Sequence, residues 1–185
     1  GPVARVPPIA LLNYSDLDLM RTHIIGAVTV TPVGGEVVAG AVAFGFILAK
    51  ILRGDFRPDK VLAETQKFIG PGWFSSRLAE ADEMLKARTP VPEAIHRIGT
   101  GSVVWESVVA AIYAFLAGPK ELPGVLAPLR EAGGDREMTG LVAGSLVGAR
   151  GGFQNFSGQA RRLQGHGHLI AKGFQLRQIM TRPRR

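Results

Sequence analysis

The sequence predicts an all-α fold in a single domain. Apolar residues recur at three- and four-residue spacing in segments punctuated by glycine and proline. Strand-like alternation is scarce, and the best candidate, Ala27 to Val33, contains Pro32, which cannot donate to a central ladder. Hydrophobic residues make up 46% of the 185 while aromatics make up only 7%. Ala, Val, Leu and Gly therefore carry the burial, which suits closely packed helices. The length fits one domain of ordinary size, with neither a long linker nor a repeat of solenoid period.

The elements follow in order. Ser15 can cap a helix through Leu17, Leu19, Met20, Ile24 and Ile25, with Asp16 and Asp18 in the first turn, where the helix dipole favours acids. Gly34 and Gly35 break the chain before an apolar helix from Val37 to Leu52, which Gly54 stops. Lys50 interrupts that run, which is shorter than the roughly 20 residues that span a bilayer, so it reads as a core helix. Pro58 suits the first turn of the next helix, which ends at Gly70-Pro71-Gly72. Ser75 or Ser76 opens a helix carrying Leu78, Met84 and Leu85, and Thr89 to Pro92 forms a proline-rich joint.

After Gly99-Thr100-Gly101, Ser102 can cap a helix over Val103 to Leu116, which Gly118-Pro119 ends. A short helix covers Gly124 to Arg130. Gly133-Gly134-Asp135 then leads into a helix through Arg150 bearing Gly140, Gly144 and Gly148 on one stripe. Each interior glycine costs about 1 kcal/mol relative to alanine, so the stripe predicts another backbone packed close against it. A last helix spans His168 to Arg182.

Composition narrows the function classes. The absence of cysteine removes disulfides, thiolate metal sites and cysteine nucleophiles, and fits a reducing compartment. With no secretory leader pattern at the start, a cytoplasmic protein off the membrane is expected. The net charge is +7. No acid follows Glu137, and residues 151–185 carry Arg161, Arg162, Lys172, Arg177, Arg182, Arg184 and Arg185 as a basic C-terminal segment of the same domain. That segment reads as a solvated helix face. A nucleic-acid role lacks a recognition motif, and its aromatics are limited to Phe153, Phe156 and Phe174.

Several groups could carry chemistry. Asp135 and Glu137, one residue apart after a glycine turn, could converge on a hard cation, although acids at a helix start are also favoured by the dipole alone. Gly99, Thr100, Gly101 and Ser102 precede a helix and could receive a phosphate on backbone amides, or form a simple turn. His166 and His168 have no third ligand nearby and read as a flexible turn, while His23 and His96 read as structural. Glu106 follows Trp105 in an apolar helix, either as a buried acid of functional interest or at the edge of a core built on the tryptophan. No P-loop, dinucleotide fingerprint or Ser-His-Asp context occurs.

Three segments together resemble one family. GGDREMTGLVAGSLVGARGG resembles the GGDTDT segment of the ADP-ribosylglycohydrolases, the group related to dinitrogenase-reductase-activating glycohydrolase. IGTGSVVWESVVAAIYAFL resembles that family's glycine loop and following helix, and the N-terminal GPVARVPPIALLNY resembles its G-A-M-R region. The resemblance implies an all-α fold of orthogonally packed helices, two magnesium ions in a cleft, and ADP-ribose bound against glycine-rich loops. It implies cleavage of the bond joining ADP-ribose to an acceptor, with metals orienting a water and a carboxylate acting as acid or base.

The match places Asp135 and Glu137 on two of the family's metal-binding aspartates. Glu137 adds a methylene, moving its carboxylate by about 1.5 Å, whereas magnesium demands near-octahedral geometry at about 2.0–2.1 Å. Met138 stands where the family has a threonine ligand, and a thioether suits magnesium poorly. Arg136 puts a positive charge beside the expected cation, and Pro32 stands where the family has a histidine. The family's N-terminal GD-type and T-D-D motifs have no counterpart. The sequence therefore reads as the C-terminal part of the fold, truncated or degenerate, at most binding ADP-ribose or a related nucleotide. The alternative is a non-catalytic structural or interaction module, with a protein partner or homodimer covering the place of the missing N-terminal helices.

Overall fold

The computed structural model describes residues 1–152, 158 and 162–181. Phe153, Phe156, Arg161, Arg182, Arg184 and Arg185 of the basic segment lie outside the described residues. Among those described, a 3-10 turn over Pro2–Arg5 and ten α-helices make up the regular structure, and no strand occurs. The helices are α1 (Val6–Asn13), α2 (Leu17–Val28), α3 (Gly35–Leu52), α4 (Val61–Ile69), α5 (Trp73–Lys86), α6 (Val91–Ile98), α7 (Val104–Ala117), α8 (Leu122–Ala132), α9 (Arg136–Gly151) and α10 (His166–Thr181).

Local chemistry sets most boundaries. Asp16, not Ser15, caps α2, its Oδ1 accepting the Leu19 amide at 3.0 Å. An aspartate one residue nearer the apolar run is the better-placed acceptor. The α5 helix starts at Trp73, ahead of the serines expected to open it. There the Phe74 amide donates to Glu36 Oε2 on α3, 3.1 Å away, so a side chain distant in sequence supplies the acceptor. Pro90 precedes α6, which occupies the segment read as a joint, with Pro92 in its first turn. The α2 helix runs through Val28, absorbing the first residues of the strand candidate. His166 to His168, expected in a turn, form the first turn of α10, and Gly165 at φ +77° makes the bend before it.

The α3 helix is the centre of the domain. It packs against α1, α2, α4, α5, α7 and α9, and its residues Gly40 to Ala49 are all buried. By length and composition it could cross a membrane, but 61% of it is buried inside the protein. Small residues let neighbours approach. A Cβ on Gly45 would collide with the Ile24 side chain, and one on Gly40 with Val104, 3.0 Å from the Phe74 ring. The second central helix, α7, packs on α9, α6, α3, α5 and α8, with Ser107 to Phe115 buried. Each large side chain fully buried in this core, such as Phe44, Phe74 or Ile112, contributes about 1.5–3 kcal/mol relative to exposure.

Gly140 and Gly144, two of the three glycines of the stripe, behave differently from the expectation. A Cβ on Gly140 or Gly144 would meet nothing within 4 Å, so no backbone of this chain's described residues packs against them. The face of α9 that does pack, on α7, α3 and α8, is built by Thr139, Val142, Ala143, Leu146 and Val147.

Candidate functional site

The Gly99–Ser102 loop and the Gly133–Asp135 turn, remote in sequence, are one structure in space. Gly99 ends α6 at φ +89°, a left-handed conformation that glycine adopts without a Cβ penalty. Thr100 is buried, and its carbonyl accepts the Asp135 amide at 2.7 Å. The approach is close enough that a Cβ on Gly134, itself at φ +68°, would overlap the Thr100 carbonyl. Packing of α7 on α9 holds the two loops at the same corner.

Each predicted residue has a definite place. The Gly101 amide donates to Glu106 Oε2 at 2.8 Å. Ser102 is exposed and caps nothing, because α7 begins with Val103 as its N-cap and without a side-chain cap bond. Asp135 caps α9, its Oδ1 accepting the Met138 amide at 2.9 Å. Glu137 is exposed in the first turn of α9. A Cβ on Gly1 would lie 3.3 Å from the Met138 ε-methyl, so the N-terminal turn adjoins this corner. Arg5, part of the N-terminal resemblance, donates instead to the Ala27 carbonyl at 2.7 Å and ties the first turn to α2.

A cavity of about 350 Å³ opens beside the loop between α6 and α8, lined by Ile95, His96, Gly99, Thr100, Pro128 and Glu131 among others. Its size falls at the lower end of small-molecule sites. His96 is exposed on that wall.

The residues present do not amount to a magnesium cage. The two acidic side chains come from one helix turn, and one oxygen of Asp135 is engaged by a backbone amide. Among the described residues no three His, Cys, Asp or Glu side chains gather in a group that could hold a metal. The thioether of Met138 and the guanidinium of Arg136 occupy the neighbouring positions. Magnesium favours oxygen ligands in near-octahedral array, which this set does not supply by itself.

Glu106 is the residue whose role the sequence concealed. It occupies the third position of α7, where a carboxylate commonly reaches back to amides before the helix, and that spacing was the available signal. The amide it takes lies two residues ahead of the N-cap, so the pairing depends on how the loop folds.

A search of the curated proteins finds no match. The family model for ADP-ribosylglycohydrolase matches residues 1–181. Members of that family use divalent metal ions. On the strength of that match and of the all-helical fold, the chain belongs to the ADP-ribosylglycohydrolase family, a family of hydrolases.

Proposed function

We propose that this chain is an ADP-ribosylglycohydrolase-like domain that binds ADP-ribose or a related nucleotide and is degenerate as a catalyst. The observation that carries the reading is the union of two glycine loops at one corner. Gly99 and Thr100 line a cavity, and the Thr100 carbonyl is bonded to Asp135 at the start of α9. The first turns of α7 and α9 lie at this corner, and helix N-termini favour the negative charge of a pyrophosphate. Gly99, Thr100, Gly101 and Ser102 are the ligand contacts in this reading, with Asp135 and Glu137 as the remaining cation ligands. Hydrolysis would require further carboxylates from outside these 185 residues.

Calorimetric titration of ADP-ribose into the purified chain, with and without magnesium, tests the reading. Saturable binding supports it, and its absence under both conditions overturns it. The same preparation is expected to show no magnesium-dependent release of ADP-ribose from a modified acceptor, and robust turnover would sink the degenerate-catalyst part.

A second reading, a structural or interaction module, is favoured by exposed apolar groups. Val30 is 76% and Trp73 55% exposed, and α9 presents Gly140 and Gly144 to open space. Such surface suits a protein partner or a second copy of the chain. Light scattering that finds a stable complex indifferent to nucleotide would favour it, while a monomer that binds ADP-ribose would not.

A further inference from the structure

We propose that Glu106 is a positioning residue that locks the two glycine loops into one unit. This rests on the reading of the Gly99–Ser102 loop as a ligand site and deepens it. Glu106 touches the loop in two ways. Its Oε2 accepts the Gly101 amide at 2.8 Å, and its carboxylate fills the space that side chains on Gly99 and Gly101 would need. A Cβ on Gly99 would lie 2.7 Å from the Glu106 carboxyl carbon, and one on Gly101 2.5 Å from Oε2.

Between those two glycines sits Thr100, buried, with its carbonyl aimed at the Asp135 amide. The carboxylate thus sets the loop on one side and the Thr100 carbonyl passes that setting to the turn on the other. A charge-assisted bond from a carboxylate to a backbone amide is about twice as strong as a neutral one. Here it holds the Gly101 amide inward, and Ser102 and Val103 form the exposed edge of the loop. The two glycines are therefore required by the carboxylate beneath them as much as by the turn.

Amide hydrogen exchange on the full chain, read residue by residue with NMR, tests this without any ligand. Glu106→Ala and Glu106→Asp are expected to speed exchange at Gly101 by roughly tenfold or more, the scale of one lost charge-assisted bond. Asp135 is expected to accelerate with it, although it shares no bond with Glu106. Glu106→Gln, whose amide oxygen can still accept, should remain within about threefold of the parent. If alanine prevents folding, the aspartate variant carries the test, since it keeps the charge and shortens only the reach. Unchanged exchange at Gly101 overturns the proposal, and so does acceleration confined to Gly101 with Asp135 unmoved. An ADP-ribose titration in parallel separates the two ideas. Lack of binding by the parent overturns the ligand reading, while the exchange pattern still decides whether Glu106 couples the loops.

Discussion

The Asp135 amide donates to the Thr100 carbonyl at 2.7 Å, joining two glycine turns that the chain separates by helices α7 and α8. Gly134 makes this possible, because it adopts φ +68° and leaves no Cβ between the turn and the Thr100 carbonyl. Gly134→Ala should cost at least the roughly 1–3 kcal/mol of a strained left-handed residue, and the overlap with backbone adds to it. Thermal unfolding is expected to shift down, and ADP-ribose binding should be lost at temperatures where the protein remains folded.

Asp135 serves α9 as its cap, and that role can be separated from cation binding. Asp135→Ala should destabilise the domain by about 1 kcal/mol, whereas Asp135→Asn, an equally good cap, should be nearly neutral. Both should abolish any magnesium dependence of nucleotide binding. Magnesium dependence that survives in the asparagine variant would show that the carboxylate is only a cap.

Gly140 and Gly144 stand in open space on α9, so alanine there removes backbone entropy without a collision. Each substitution should add up to about 1 kcal/mol, or about 2–4 °C in Tm for a chain of this length. A loss of stability or of assembly instead would mean that a partner uses the stripe.

Two groups, the partly buried Lys50 and the buried Tyr113, predict weakening at alkaline pH. Burial opposes the charge on Lys50, but its ion pairs with Glu64 and Asp55, at 2.9 and 3.1 Å, outweigh that and raise its pKa above the ordinary 10.5. Burial, helped by the Glu93 charge and opposed by the bond to Thr89, raises the Tyr113 hydroxyl above 10.0. A group whose pKa is raised on folding stabilises fully below its unfolded value and loses that contribution as pH rises through the folded one. Unfolding free energy is therefore expected to fall as pH passes 10.0 and then 10.5. Tyr113→Phe should flatten the first part of that fall. It should also cost about 1 kcal/mol or more at neutral pH, by leaving the Thr89 carbonyl without its 2.7 Å donor.

Helical class, the breaks at Gly54, Gly70 to Gly72 and Gly118, and the start of α9 after Gly133-Gly134-Asp135 could be read from the chain alone. Their causes act within a few residues: apolar spacing, proline and glycine geometry, an aspartate at a helix start. Asp135, expected there only as an acid at a helix start or a cation ligand, also caps the helix, and that bond acts at the same short range, reaching an amide three residues on. The start of α5 could not be read this way, because the acceptor for its first turn is Glu36 on α3. Gly140 and Gly144 misled for the same reason, since spacing shows that residues share a face and not what lies opposite it. Only the tertiary structure decided that Thr100 meets Asp135 and that Glu106 lies beneath both glycines of the loop. Those meetings depend on where α7 packs against α6 and α9, and helix packing is set by side-chain volumes summed over the whole core rather than by neighbours in sequence.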